Sequence, residues 1–367
     1  MQLRIATFNM ENLFTRPTAM ADDMGEEGQH AITDQAELNR IIGKLVYSDG
    51  DKQRLIEIEK RYHFAALSPP SNALVQLNKI RGQLYSKSQA GVVTIKADGR
   101  EDWTGWFQLK TTDINWSATY NTGRVIAEVN PDILICIEVE NRPTLNRFNE
   151  QVLKAIFKVG FPHAMLIDGN DERGIDVGIL SRHSLNGVRS HVDDRGTNGE
   201  RVFSRDCPEY VVLLPNGKSL VVIPNHFKSK RGGNNQSAQD KRLAQATRAH
   251  EIAKEALNIS PLVLLGGDLN DTPDSIQLAP LWENGFSDVE EHASYPKERP
   301  GTFGTGTASN KIDYLIMSPA LKKCLKKTGI ERRGSYHPNS WTPFDTVKSK
   351  KDDASDHHLV WADFEFN

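Results

Sequence analysis

In several places an apolar run of this 367-residue chain ends on a carboxylate, an amide or an imidazole. Asn9 and Glu11 follow LRIATF, Glu138 follows ILICI, and His226 closes VVIPNH. Asp268 and Asn270 end LVLLGGDLN, Asp313 begins DYLIMS, and Asp356-His357 immediately precedes HLVWADFEF. Packing alone is a poor explanation for such a repeat. Hard oxygen donors suit Mg²⁺, which keeps several waters and takes only one or two protein carboxylates. Imidazole orients or deprotonates water near neutral pH, because its unperturbed pKa is ~6.5. Glu138 leads the metal candidates, since a solvated strand end does not account for a Glu placed directly behind five apolar residues.

The elements that must position these groups read as alternating strands and helices. The first strand is QLRIATFNMENLF, with its polar groups at the C-terminal end. From Asn121 onward come a helix through Val125 and Val129, the strand DILICIE, a helix from Thr144 to Val159 and the strand GIDVGILS. YVVLLP, SLVVIPNHF, PLVLLGGDLN, KIDYLIMS and HLVWADFEF are further strands, with a helix from Gln236 to Leu257 between the second and third. Residues 1–16 and 116–367 thus read as one α/β domain. Residues 17–115 interrupt it with a polar loop from Pro17 to Gln29 and a helix bearing Leu38, Ile41, Ile42, Leu45 and Val46. A second helix from Asp51 to Leu67 is stopped by Ser68-Pro69-Pro70, and Leu74, Leu77, Ile80 and Leu84 predict a third. GVVTIK and WTGWFQLK then predict a strand pair.

Bulk composition excludes several classes. Apolar residues are 38% and charged residues 25%, close to an ordinary globular protein. Lys plus Arg number 45 against 48 Asp plus Glu, a net charge of −3 that provides no overall basic field. Cys136, Cys207 and Cys324 lack C-x-x-C spacing, so neither a disulfide framework nor a thiolate zinc site is indicated. Cys136 lies between Ile135 and Ile137 and reads as packing. No apolar window approaches a membrane span and nothing resembles a signal peptide, so a cytoplasmic protein without stable membrane association is expected. A removed leader is compatible with the same sequence, and no oligomeric state is implied.

FNMENLF, ICIEVEN, IPNHFKSK, GGDLNDTPDS, KIDYLIMS and ASDHHLVWADF, in this order, resemble the motifs of the endonuclease/exonuclease/phosphatase superfamily. These are metal-dependent phosphodiesterases similar to deoxyribonuclease I. The resemblance implies an α/β (α+β) fold, a four-layer sandwich of two packed mixed β-sheets flanked by helices, here carrying a mixed α/β insertion. It implies Mg²⁺, with Mn²⁺ or Ca²⁺ as substitutes, held by Glu138, Glu11 and Asp356. His357 resembles the active-site histidine, Asp313 the carboxylate that orients it, and Asp268 the group that contacts the attacking water. Asn9 and Asn270 correspond to donors to phosphoryl oxygens, and His226 to the histidine that assists the leaving oxygen. Arg173 and Asp176 stand where relatives often carry a site-facing residue. His358 reads as packing.

The chemistry is consistent with these roles: hydrolysis of a phosphodiester needs phosphate charge neutralised, water oriented and the departing alkoxide stabilised. Lys228 and Lys230 follow His226 at alternate positions and could face phosphate together, or could simply be solvated. Residues 225–250 hold six basic residues against Asp240, and residues 320–351 hold nine against Glu331 and Asp345. Both windows flank the motifs, as a polyanion substrate would require. Solvated lysines are the bland alternative. The insertion reads either as an extension of the core or as a substrate cap, in which Trp103, Trp106 and Phe107 could stack an unpaired base or fill a core. Nucleic acid is therefore the expected substrate and an endonuclease the favoured activity. The rivals are a phosphatase or phosphodiesterase for a small-molecule or lipid phosphate, and a catalytically silent binding module.

Overall fold

The computed structural model describes residues 1–13, 18–20, 25–66, 70, 73–110, 115–171, 174–197, 199–230 and 235–366. The chain divides into two compact units, Met1–Phe14 with Asn115–Asn367, and Thr15–Ile114. The first strand, β1 (Gln2–Leu13), belongs to the larger unit.

The smaller unit has its own core. Helix α1 (Gly25–Ile42) contributes Ala31, Leu38, Ile41 and Ile42 to it. Helix α2 (Asp49–Tyr62) starts at a reciprocal capping box of Ser48 and Asp51 and contributes Leu55 and Ile58. Leu45 and Val46, expected on the helix face, lie beyond its end and are exposed. The expected third helix is instead strand β2 (Val75–Arg81). Strands β3 (Tyr85–Lys87), β4 (Val93–Ile95) and β5 (Thr104–Leu109) follow. In β2, Val75 and Leu77 oppose Leu109 and Phe107 of β5, so a period of two prevails over the three-to-four spacing of the leucines. GVVTIK does not pair with WTGWFQLK: β4 pairs with β3, and β5 with β2. Trp103 and Phe107 are core residues, the Trp103 indole donating to the Tyr47 hydroxyl at 2.9 Å, while Trp106 is exposed.

In the larger unit, helix α3 (Trp116–Val129) leads into β6 (Ile133–Val139) and α4 (Arg142–Phe148). The helix expected to reach Val159 passes at Phe148 into a π-helical stretch, Asn149–Lys154. Next come β7 (His163–Leu166), β8 (Asp176–Ser181), β9 (Leu185–Arg189), β10 (Glu209–Leu213) and β11 (Ser219–His226). Helix α5 (Gln236–Ala256) and β12 (Val263–Asp268) complete a crossover. The chain ends with β13 (Ser287–Asp288), β14 (Asp313–Met317), the short α6 (Pro319–Lys322), β15 (Leu325–Glu331) and β16 (Leu359–Glu365).

Two six-stranded mixed sheets result, in the orders β15-β16-β1-β6-β8-β7 and β13-β14-β12-β11-β10-β9. Each has one parallel pair, β1 with β6 and β11 with β12, among antiparallel neighbours. Alternation sends side chains to opposite faces. Ile133, Ile135 and Ile137 join Val222, Leu264 and Leu315 between the sheets. Leu134 and Cys136 pack with Val125 and Ile126 of α3, and Val221 and Val263 with Ala249 and Ile252 of α5. The four layers are therefore helix, sheet, sheet, helix, as the family resemblance implies.

Candidate active site

Strand register alone gathers three of the candidates. His226 is opposite Asp268 across the parallel pair β11 and β12, and Asp268 is opposite Asp313 across the antiparallel pair β12 and β14. Opposed residues share a face, and neighbouring strands are about 4.8 Å apart. Because Val222, Leu264 and Leu315 point between the sheets, the imidazole and both carboxylates point there too. Asn9 of β1 shares the inward parity of Leu3 and Ile5, so the second sheet presents its amide to the same place.

Glu138 reaches the site by breaking the alternation. Its even position shares the parity of Leu134 and Cys136, which face the outer helices. A register shift falls between Ile137 and Val139, and Glu138 has φ of 60°. Val139 consequently joins the outer cluster and Glu138 turns inward, with Oε1 3.7 Å from His226 Nε2. Glu11 and Asn270 also have positive φ, at 48° and 54°. Such backbone is uncommon outside glycine and gathers at functional sites.

Asn9 Nδ2 donates to Asp268 Oδ2 at 3.2 Å and lies 3.4 Å from His357 Nε2. Asn270 donates from Nδ2 to the same oxygen at 3.1 Å, and from its backbone N–H to Oδ1 at 2.9 Å. His357 Nδ1 is 2.9 Å from Asp313 Oδ2, which fixes the ring and leaves Nε2 for chemistry, 3.8 Å from Asp268 Oδ2. The Phe303 ring meets the His357 ring edge-on at 5.0 Å. Glu11 Oε2 accepts the Asp356 N–H at 3.1 Å, and Asp356 Oδ1 lies 4.0 Å from His357 Nε2.

Burial raises the Asp268 carboxyl to about 7, with the His357 charge opposing and the Asp313 charge adding to the rise. Burial lowers the proton affinity of His357, but Asp313 and Asp268 together outweigh it and hold the imidazole well above its ordinary value. His358 lies at the other extreme, pushed down to about 3 by burial and the nearby Arg332 charge, with Nε2 3.0 Å from the Gly304 carbonyl oxygen. It is a packing residue against Trp341. Among the described residues, Asp268, Asp313 and His357 form a buried set whose ligand atoms lie within 4.8 Å of one another and could hold a metal ion.

The other expected residues are less central. Arg173 lies outside the described residues. Asp176 is buried at the start of β8, accepts the Gly169 N–H at 2.8 Å and is raised to about 7 by burial. Lys230 is tied to buried Asp271 at 2.5 Å, and Lys228 is held through its backbone, its N–H donating to Gln245 at 2.8 Å. Much of the basic character of 225–250 is similarly engaged: Lys241 donates to the Arg201 carbonyl, Arg242 pairs with Asp271, and Arg248 with Asp194, Glu251 and Glu255. In 320–351, Lys322, Lys326 and Arg333 pair with Glu291, Glu365 and Glu331, whereas Lys348, Lys350 and Lys351 are exposed.

The motif reading passes over three contributors. The Ser355 hydroxyl donates to the Asn9 carbonyl at 2.8 Å and accepts the His357 N–H at 3.0 Å, tying the end of β1 to the segment that leads into β16 in the same sheet. Lys311 is buried, donating to the Asp313 carbonyl at 2.6 Å and pairing with Asp288 at 2.9 Å. Arg242 is buried within α5. Ser355 stood beside Asp356-His357 in the sequence, but only the fold shows that Lys311 and Arg242 are buried.

Comparison with known proteins decides the family. The model of the endonuclease/exonuclease/phosphatase family matches residues 118–357. The chain belongs to this family. Members of the endonuclease/exonuclease/phosphatase family are hydrolases of phosphoester bonds and typically depend on a divalent metal. Solved structures similar to this chain include a truncated TDP2 from Caenorhabditis elegans, 19% identical over 68% of this chain and 90% of that one, with a TM-score of 0.47. A family protein from Bacteroides thetaiotaomicron is 17% identical over 69% and 90% of the two chains, with a TM-score of 0.49. A mannosyl-6-phosphatase from the same organism is 16% identical over 68% and 92%, with a TM-score of 0.48. No protein of curated function matches the chain. Among the described residues, no helix is long and apolar enough to cross a membrane.

Proposed function

We propose that the chain is a divalent-cation-dependent phosphodiesterase and that its substrate is nucleic acid, with endonucleolytic cleavage favoured. The observation that carries this reading is the convergence of His226, Asp268 and Asp313 on one strand register, with Asn9, Glu138 and His357 meeting them. The donors fit a hard cation. Glu138 leaves the strand alternation to bring its carboxylate inward beside His226, and the carboxylates of Glu11 and Asp356 are hard oxygen donors of the same kind. Because His357 Nδ1 is engaged by Asp313, we assign the cation to Glu138 and Glu11, with Asp356 beside them, and keep Asp268, Asp313 and His357 for proton chemistry. A bound Mg²⁺ supplies positive charge and Lewis acidity to the phosphate oxygens.

The chain's own groups do the rest. The Asn9 amide donates to the phosphoryl oxygens, whereas Asn270, whose two Nδ2 hydrogens go to Asp268 Oδ2 and the Phe227 carbonyl, holds Asp268 in place. Asp268, whose proton affinity burial brings close to neutral, orients a water and takes its proton as the water oxygen attacks phosphorus, with the His357 imidazolium 3.8 Å away stabilising the charge that develops. Asp313 holds the Nδ1 proton and steadies the imidazolium. As the bond from phosphorus to the leaving oxygen breaks, His226 Nε2 gives that oxygen a proton. The test is digestion of circular DNA, linear DNA, RNA and bis(p-nitrophenyl) phosphate with Mg²⁺ or EDTA. Cleavage of the circle shows endonuclease action, and inactivity on all four rejects the reading.

The engaged cations of residues 225–250 favour a second reading, a phosphatase or phosphodiesterase for a small phosphoester. Salt separates the two: binding of a polyanion weakens steeply with ionic strength, and that of a small substrate does not.

A further inference from the structure

Arg242 has no exposed surface, although it lies in the middle of α5 and the active-site groups lie on strand ends. A buried guanidinium is costly unless its donors are satisfied. Its Nε is 2.9 Å from Asp271 Oδ2, and its Nη1 donates to the Lys228 carbonyl at 3.2 Å. Gln245, one helical turn further on and equally buried, accepts the Lys228 N–H at 2.8 Å. The preceding residue is held as well, the Phe227 N–H donating to the Asp268 carbonyl at 2.9 Å and the Phe227 carbonyl accepting from Asn270 Nδ2 at 3.2 Å. All four backbone polar groups of the dipeptide after His226 are thus fixed, two by α5 and two by the segment carrying Asp268 and Asn270. Asp271 is anchored in turn, its carbonyl accepting the Tyr314 hydroxyl at 2.7 Å and its other carboxylate oxygen pairing with Lys230.

We propose that Arg242 is a positioning residue for phosphoester hydrolysis: it ties the His226–Lys230 segment to the Asp268–Asp271 segment and so sets His226 and Asn270 relative to Asp268. This rests on the proposed function of the same site. Arginine is suited to the task because its planar fork reaches a carboxylate and a carbonyl at once. A lysine carries the charge without that geometry. Displacement of a catalytic group by about 1 Å costs on the order of 10²-fold in rate.

The test uses the full chain, bis(p-nitrophenyl) phosphate and Mg²⁺, with folding followed by circular dichroism. Arg242→Ala is expected to lower kcat about 100-fold with KM within a factor of about three, as for an interaction that matters at the transition state. Added methylguanidinium is expected to restore part of kcat, and Arg242→Lys little. Asp271→Asn, which preserves shape, is expected to lower kcat similarly, and the double variant Arg242→Ala/Asp271→Asn no further. Unchanged kcat in folded Arg242→Ala or Asp271→Asn overturns the inference, as does a loss that only follows the unfolded fraction and resists methylguanidinium. If Arg242→Ala does not fold, Asp271→Asn decides alone. Wild-type protein inactive on every phosphoester overturns the functional reading and this inference together, whereas active wild type with indifferent variants overturns only the inference.

Discussion

At the residue scale, the site concentrates negative charge and then pairs it unevenly. His357 is bracketed by Asp313 and Asp268 and retains its proton more strongly than an ordinary imidazole. Removing the orienting charge should be expensive for chemistry: Asp313→Asn is expected to lower kcat by roughly 10²- to 10⁴-fold, the range for a mispositioned acid-base histidine. Steady-state kinetics on a small phosphodiester measures it. Asp268 gives a pH prediction. Its carboxyl binds a proton up to about 7 in the fold, against an ordinary 3.8. Folded protein therefore holds more protons than unfolded protein across that interval, and the stability this provides is present below 3.8 and lost as pH rises through about 7. His357, raised as well, acts in the same direction. In EDTA, the melting temperature of wild type should fall from pH 5 to pH 8 by more than that of Asp268→Asn. Equal slopes by differential scanning calorimetry would contradict the buried-carboxyl assignment.

The candidate site was legible in sequence at this scale because its polar groups sit at the ends of apolar runs. Glu138, Asp268, Asp313 and His357 could each be read from such a boundary. Lys311 and Arg242 could not, because a lone basic residue in a helix or before a strand looks like any solvated one. Only the third dimension shows that one supports the Asp313 backbone and the other clamps Asp271.

At the element scale, two backbone irregularities aim the side chains. Gly267 has φ of 131°, and a Cβ there would stand 2.0 Å from the Asn225 carbonyl oxygen. Gly267→Ala is therefore expected to destabilise by more than about 3 kcal/mol, through backbone strain and loss of the β11–β12 register that places His226 beside Asp268. Urea denaturation measures this as a lower midpoint. Glu138 is the converse case, a left-handed residue that is not glycine and that carries the proposed metal-binding carboxylate. Glu138→Gly is expected to abolish metal-dependent turnover while leaving the folded state at least as stable as wild type, since glycine accepts φ of 60° without strain. Most strands were legible from their apolar runs; β3, β7, β9 and β13 were not, nor was β15. Lys326 and Lys327 obscure its pattern, and its place at a sheet edge explains them, because charged edges resist pairing with other chains. The misread β2 failed for a different reason: leucines at helical spacing met a partner strand that rewarded alternation.

At the scale of the whole molecule, the chain consists of two units with separate hydrophobic cores. The interruption was visible in sequence as a change of texture between the first motif and the rest. The internal order of the insertion was less visible, because its short strands carry few apolar residues. The near-zero net charge also acquires a meaning, since many of the cations in the two basic windows pair with neighbouring carboxylates and only part of their charge is free to meet a substrate.

The central claim is that Glu138 and His357 belong to one cation-dependent phosphoester-cleaving centre. Its most direct measurement is turnover of bis(p-nitrophenyl) phosphate against Mg²⁺ concentration for wild type, Glu138→Ala and His357→Ala, each confirmed folded. The expected result is saturable Mg²⁺ activation of wild type, abolished by EDTA, with both variants reduced by at least roughly 10²-fold. Wild-type turnover indifferent to EDTA, or variants as active as wild type, would contradict the account.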